Sequence, residues 1–599
     1  MLAPGNGEPD TIGDAGAPKV RADIWMTNRI DHKPTFAALF TPKLVTVLKE
    51  GYGARAFRAD AFAGLTVAIV ALPLSMAIAI ASGLAPANGL VAAIVGGFLV
   101  SALGGSRFQI GGPAGAFIVL VSSTTAAHGV DGMLIATFLS GIMLVAAGLL
   151  RLGGYVRLVP YPVTIGFTAG IAVIIFISQI KELLGLTLDG AEPGPVIDKL
   201  LADIAALGSA NLFAAAVAVP TIAAIFILRH WRPTFPGVLA VVALAAAVVA
   251  AFDLPVDTIG SRFGELPRGL PAPSLPEISV ARIYAVLPAA FSFFLLGAIE
   301  SLLSATVADA MTGRRHRSNS ELAAQGIANM AAPILGGMVV TGTIARTATN
   351  VRAGAHGPVA GMLHAVFILV FLVAAAPLAV MTPLAALSGV LVVVAWNMVE
   401  RHAIVSLFRS SAADAAAFAV TFFLTVFRDL TEAIAAGTAI AAIAFIHRMS
   451  TSLSIGSAPL VAEDVADEAT EDRTAYRKEE AQPHDVAVYR LSGALFFASA
   501  ASLGLALDRV LAGQKKLLLD LSNVALIDST GAQAVAAFAR DASRRGVFVA
   551  IAGAGPEVEK FLLAAGISAS GADFYPAMAA ALADLRARPA AATGADGRV

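Results

Sequence analysis

The chain has 599 residues, of which 57% are hydrophobic and only 14% charged, with a net charge of −1 and no cysteine. A soluble protein of this length needs far more charge to cover its surface. Near-neutrality argues against nucleic acid as a partner, and the missing thiols exclude disulfides, thiolate metal sites and cysteine nucleophiles. Nothing in the pattern calls for a metal, a cofactor or enzyme chemistry.

The N-terminal stretch MLAPGNGEPDTIGDAGAPKV is polar and rich in Gly and Pro. It lacks a basic segment followed by an apolar one, so it does not read as a signal peptide. Residues 1–55 are expected to form a disordered or amphipathic cytoplasmic N-terminus. The transmembrane part is expected over 56–448. A helix needs about 20 apolar residues to cross about 30 Å of hydrocarbon, and Ala61 to Ser82 is the first run to qualify. Further runs lie near 86–104, 108–125, 131–150, 158–180, 209–228, 236–252, 283–310, 321–338, 341–353, 357–376, 383–399, 412–428 and 430–446. These runs predict a polytopic α-helical membrane protein of about 14 spans.

Basic residues fall in alternate loops: Arg107, then Arg151 and Arg157, Arg229 and Arg232, Arg314, Arg315 and Arg317, Arg401 and Arg409, with Arg448 after the last span. By the positive-inside rule those loops and both termini face the cytoplasm, in a bacterial-type inner membrane. A polar, acidic linker is expected over 449–484. From 485 to 590, strands at 486–491, 516–522 and 547–553 alternate with helical patterns at 499–512, 530–544, 556–565 and 576–587, which predicts a small α/β domain. Residues 591–599 form a tail.

Two of the runs, 108–125 and 341–353, are short and start with Gly, Thr or Pro. Each is roughly the third of seven. Paired interrupted segments at matching places point to an inverted repeat with a central binding site, because lipid tolerates irregular backbone only where protein or a water-filled cavity satisfies it. The two could instead be merely flexible connections. In QIGGPAGAFIVLV (109–121), Pro113 suits the first turn of a helix. The N–H groups near Ala114, Gly115 and Ala116 would form an anion site at the positive end of its dipole; a close helix crossing would need the same small residues. In TGTIARTATNVRAG (341–354), Thr341, Gly342 and Thr343 look like a cap and turn. Arg346 falls in the first helical turn, where it opposes the dipole unless an anion sits there; otherwise it snorkels to the interface. Arg352 reads as interfacial.

The run 297–313 holds Glu300, with Ser304 and Ala308 on the same face and Asp309 near the helix end beside Arg314. An intramembrane carboxylate is a functional candidate. Glu300 could carry a proton, could hold Na+ together with Ser304, or could form a purely structural pair with Arg346. In the first span, Pro73 bends the helix, and Leu74, Ser75 and Ile78 could line a cavity.

These stretches resemble the SulP family of anion transporters: GLTVAIVALPLSMAIAIASGLAPANGL (64–90), GGSRFQIGGPAGAFIVLV (104–121), the Glu300 span ending in VADAMTG (307–313), and residues 321–365. LLLDLSNVALIDSTGAQAV (517–535) is similar to the STAS domain that ends most members. The resemblance implies a seven-plus-seven inverted repeat with a gate half and a mobile core half, and a homodimer. It implies substrate held between the third and tenth spans, at Pro113, Ala114, Gly115, Ala116, Ala345 and Arg346, with Leu74 and Ile78 beside them. Glu300 and Ser304 fall where members place coupling-ion residues. Family substrates include sulfate, bicarbonate, chloride and dicarboxylates.

Many sulfate-transporting members carry Pro-x-Tyr-Gly-Leu-Tyr after the first span. Here the sequence is Pro86, Ala87, Asn88, Gly89, Leu90, Val91; both tyrosines are missing, which weakens the case for sulfate. Glu300 stands where sodium-coupled bicarbonate members show aspartate, which favours protons over Na+. Asp528, Ser529, Thr530 and Gly531 resemble the phosphorylated loop of anti-sigma-factor antagonists, with Ser529 as acceptor, and equally form an ordinary helix cap. The sequence therefore points to coupled transport of a small inorganic or carboxylate anion across a lipid bilayer. An uncoupled exchanger or channel, and a scaffold recruiting a cytoplasmic protein through the STAS domain, are the alternatives.

Overall fold

The computed structural model describes residues 35–154, 159–188, 195–231, 237–428, 430–457, 486–500 and 515–588, together with 190, 193 and 503. The expected tails 1–34 and 591–599, the linker from 458 onward, most of the helix expected over 499–512, and Arg157 and Arg232 lie outside the described residues.

The apolar runs are helices. In chain order they are α1 (Ala54–Ala81), α2 (Pro86–Leu103), α3 (Ile118–Leu149), α4 (Tyr161–Ser178), α5 (Leu212–Trp231) and α6 (Gly237–Ala251). The second set is α7 (Val280–Thr312), α8 (Ser318–Ile334), α9 (Ile344–Arg352), α10 (Val359–Val380), α11 (Leu384–Met398), α12 (Ala412–Phe427) and α13 (Leu430–Thr451). Among the described residues nine helices are long and apolar enough to cross a membrane, with two shorter apolar ones, α6 and α12. The expected runs 108–125 and 131–150 are joined in α3, which is interrupted at Gly129 (φ 72°, ψ 179°). Two two-residue strands, β1 (Gly111–Gly112) and β2 (Thr341–Gly342), precede α3 and α9. They hold matching places in the two sets of helices.

The helices pack in two groups. α1, α2, α3 and α7 to α10 form a core; α4, α5, α6 and α11 to α13 form a gate. Neither group is driven together by polarity, so small residues let backbones approach. A Cβ on Gly141 or Gly326 would press on the other helix where α3 crosses α8, and Gly166 and Gly170 of α4 do the same against α12.

Of the disordered or amphipathic N-terminus expected over 1–55, residues 35–53 carry short helices. A short helix at Lys43–Lys49 packs on one end of the core. The Lys43 N–H donates to the Gly104 carbonyl at 2.9 Å, and Arg317 Nη1 to the Thr41 carbonyl at 2.7 Å. Glu50 pairs with Arg107, and Tyr52 donates to Asp60 at 2.7 Å. The segment thus clasps loops from both halves of the repeat. Asp309 bonds the His316 ring at 2.7 Å rather than Arg314. Arg352 is exposed.

The C-terminal domain is a five-stranded sheet in the order β3 (Ser454–Ser457), β4 (Val486–Leu495), β5 (Lys516–Ile527), β6 (Phe548–Ala552), β7 (Asp573–Tyr575). β3 is antiparallel to β4 and the rest are parallel. The helices α14 (Ser529–Arg544), α15 (Pro556–Ala564) and α16 (Met578–Ala587) complete it. The expected linker over 449–484 therefore begins differently: α13 runs to Thr451, and 454–457 is an edge strand of the domain. That strand is too short and polar to show an alternating pattern, and neither is β7 long enough to show one.

Asp520 of β5 is buried and bonded by Arg490 Nε at 2.7 Å and the Ser522 N–H at 3.0 Å. Burial alone would raise its pKa, but the Ser522 and Arg490 bonds together hold the carboxyl below its usual range. A depressed folded value means this contribution is present above the unfolded carboxyl range and is lost as pH falls through the folded one. Asp520→Asn is expected to destabilise the domain by about 1 to 3 kcal/mol at neutral pH, with the difference vanishing once pH falls through the depressed folded value. Hydrogen exchange of the β5 amides across pH checks this; a difference that persists in acid would show the carboxylate is not its source.

Candidate functional site

The site is built on the two short strands. β1 and β2 pair antiparallel, Gly111 opposite Gly342 and Gly112 opposite Thr341. Glycine is required because the bridge is crowded. A Cβ on Gly111 would press into Val100, one on Gly342 into the Gln109 amide, and one on Gly112 into Arg346 Nη1.

From the bridge each chain turns into a helix. Ala114 is extended (φ −117°, ψ 144°), and Gly115–Phe117 make a 3-10 turn leading into α3. Pro113 therefore lies one residue before the cap, not in the first helical turn as the sequence suggested. Thr343 (φ −103°, ψ 126°) begins α9 without capping it through its side chain. Thr341 and Gly342 belong to β2 rather than to a capping turn. Neither half-helix start has a side-chain cap, so their first N–H groups remain available to a ligand, at the positive ends of two dipoles.

Arg346 joins the two starts. It is 1% exposed, and its Nη2 donates to the Pro113 carbonyl and to Ser75 Oγ of α1, each at 3.1 Å. Its Nε and Nη1 have no hydrogen-bond partner among the described residues. Arg346 therefore does not snorkel, the alternative reading of its sequence. Pro113, Ala114 and Ala116 are buried, Gly115 partly so, and Ala345 is exposed. Leu74 and Ile78 are buried on either side of Ser75. A side chain on Gly115 would meet Ile175 of α4 and Val394 and Met398 of α11, so this cradle faces the gate.

Glu300 of α7 has a buried Oε2 without a hydrogen-bond partner. It interacts electrostatically with Arg346, yet no ion pair joins the two among the described residues. Ser304 Oγ donates to Thr347 Oγ1 at 3.1 Å, and Thr347 Oγ1 also accepts the Ile110 N–H at 3.1 Å. The hydroxyl of Thr347 thus links the Ser304 face to the chain entering β1. Sequence reasoning missed this residue, and also missed Gln109, Ser301 and Asn329. Gln109 Nε2 donates to the Ser301 carbonyl at 3.1 Å, Ser301 Oγ accepts the Gly342 N–H at 3.2 Å, and Asn329 bonds both N–H and C=O of Val340 at 2.7 Å. Amide and hydroxyl side chains on mostly apolar helices were the available signal. Ser529 is exposed at the start of α14. Asp528 caps that helix, accepting the Gly531 N–H at 2.8 Å.

Two facing half-helices, a buried arginine between them and a gate alongside define a membrane transporter of anions rather than an enzyme. Residues 57–421 match the sulfate permease family and 477–581 the STAS domain. The chain belongs to the sulfate permease family. Bacillus subtilis YvdB, provisionally named a sulfate transporter, is 41% identical over 81% of this chain and 89% of its own. The bicarbonate transporter BicA of Synechocystis is 31% identical over 85% of this chain and 90% of its own. Among solved structures, the murine Slc26a9 anion transporter in its inward-facing state superposes with a TM-score of 0.78 over 97% of this chain and 100% of that one, at 18% identity. The transmembrane domain of a cyanobacterial BicA gives 0.58 over 64% and 98%, at 31% identity.

Proposed function

We propose that the protein is a secondary active transporter of a small anion, bound between the starts of α3 and α9. The observation that carries this reading is Arg346: a buried guanidinium with two of its nitrogens unpartnered, beside uncapped helix starts. Such a charge at membrane depth requires a counter-ion. The substrate contacts are Pro113, Ala114, Gly115, Ala116, Ala345 and Arg346, with Leu74 and Ile78 as flanking walls. The anion class is sulfate, bicarbonate or a dicarboxylate, since backbone N–H groups and one arginine read charge and size more than identity. The names of YvdB and BicA favour the first two.

The core would carry the site past the gate in an elevator-like movement, with Glu300 and Ser304 taking the coupling H+ or Na+. The working unit would be a homodimer in a bacterial inner membrane with cytoplasmic termini, its STAS domain open to a protein partner and Ser529 to phosphorylation. Uptake of labelled sulfate, bicarbonate, chloride, succinate and fumarate into proteoliposomes tests the reading. Saturable uptake driven by a proton or sodium gradient is expected; unitary currents, or indifference to cation gradients, would instead show a channel or exchanger. Glu300→Gln is expected to weaken the dependence on the ion gradient sharply while anion exchange persists. Coupling left unchanged by the substitution would rule Glu300 out as the carrier.

A further inference from the structure

His364 lies within α10, fully buried, and neither ring nitrogen has a well-aligned hydrogen-bond partner. The Gly361 carbonyl lies one turn back on the same helix. A buried polar group left in this state costs stability and is uncommon in native structures. Its surroundings are specific. The segment Ala92–Gly96 of α2 is wound as a π-helix, a feature that concentrates at functional sites. Directly after it comes Gly97. A side chain there would sit 3.0 Å from the Gly111 carbonyl of β1 and 3.5 Å from Cε1 and Nδ1 of His364. The ring and the carbonyl therefore share the space that glycine leaves open. His364 thus stands directly behind the bridge that carries both half-helices.

The ionisable groups around it are few. Of the elements packed on α10, α1 brings buried Asp60 with exposed Arg55 and Arg58 near its start. α2 brings none, and the turn Ile259–Phe263 brings Arg262 at the far end. Across the bridge stand Arg346 of α9 and Glu300 of α7. Asp60 is already bonded by the His356 and Gly357 N–H groups at 2.6 and 3.0 Å and by Tyr52. Arg346 reaches the same bridge from its other side, its Nη1 lying where a Cβ on Gly112 would be.

We propose that His364 is a proton site of the core, loaded when an anion binds at Arg346. Its bound proton would lie toward the Gly111 carbonyl. This rests on the anion site described above. With that site empty, imidazolium and guanidinium would be two like charges in a low-dielectric core. A bound anion neutralises Arg346 and removes the repulsion, so anion binding draws a proton from solvent onto a ring nitrogen. By reciprocity a loaded His364 tightens anion binding by the same factor. The link runs through the bridge and does not require Glu300.

The test uses the full-length protein in detergent with weak buffer and a pH-indicator dye. Labelled sulfate, chloride and succinate report binding in parallel. Wild type is expected to take up protons on anion addition, and its affinity to rise about tenfold between about pH 8 and about pH 5.5. His364→Gln and His364→Asn should each remove most of that uptake and flatten the affinity profile, while Glu300→Gln keeps the His364 share. Thermal unfolding within about 3 °C of wild type shows the variants folded. Proton uptake unchanged in both His364 variants overturns the proposal and leaves the anion site standing. Failure of wild type to bind any of the three anions, or labelled bicarbonate assayed by binding alone, overturns the site itself, and this proposal with it.

Discussion

Arg346→Ala is expected to weaken anion binding by about two to three orders of magnitude, a loss of about 3 to 4 kcal/mol typical of a buried charge-assisted contact losing one partner. The size follows from burial. The guanidinium is 1% exposed, so water supplies no competing counter-charge. One nitrogen is tethered to Pro113 and Ser75, which fixes the group between the two helix starts. Arg346→Lys keeps the charge but cannot hold Pro113 and Ser75 while also presenting two further nitrogens, so an intermediate loss is expected. Binding of labelled anion to purified protein measures both. Because Glu300 loses its neighbouring cation in Arg346→Ala, thermal unfolding must accompany the measurement. An Arg346→Ala protein that folds and binds anion with unchanged affinity would remove the proposed site.

The second large effect concerns the bridge. Gly342→Ala places a methyl group where the Gln109 amide lies. Gln109 cannot simply turn away, since it is buried and its Nε2 holds the Ser301 carbonyl. Overpacking here, with a hydrogen bond broken, is expected to cost about 2 to 4 kcal/mol in stability. Transport should fall with it, because both half-helices start from this strand pair. Gln109→Ala in the same chain opens the space, and the double variant should recover at least about 1 kcal/mol relative to the sum of the singles. Strict additivity would show that the two residues do not collide. Thermal unfolding of the four proteins decides between these outcomes.

The two variants also show why parts of the site were legible in the sequence and parts were not. Arg346 stood out because a charge in an apolar segment is costly and so conspicuous. Glu300 stood out for the same reason, and Gly111 and Gly112 beside Pro113 marked an irregular backbone. The exact role of Pro113 was misread, because a proline suits both the first helical turn and the extended residue before the cap. Thr341 and Gly342 were read as a cap for a similar reason: two residues of strand have no periodicity of their own, and their partner lies about 230 positions away. Thr347, Gln109 and Asn329 carried only a weak mark, since a hydroxyl or amide side chain gains meaning only from what it reaches.

The sequence by itself determined the membrane architecture, the repeated pair of interrupted segments, the α/β domain at the end of the chain, and the residue types of the proposed site. These follow from local composition and period, which act over one turn of helix or one strand. Only the tertiary structure decided that Arg346 turns inward to Pro113 and Ser75 rather than pairing with Glu300. It alone placed residues 35–53 as a clasp across both halves, added β3 and β7 to the sheet, and set His364 behind Gly97 against the bridge. Each of these depends on contacts between segments far apart in the chain, and in a low-dielectric interior such contacts settle which polar groups are satisfied and which remain free to bind.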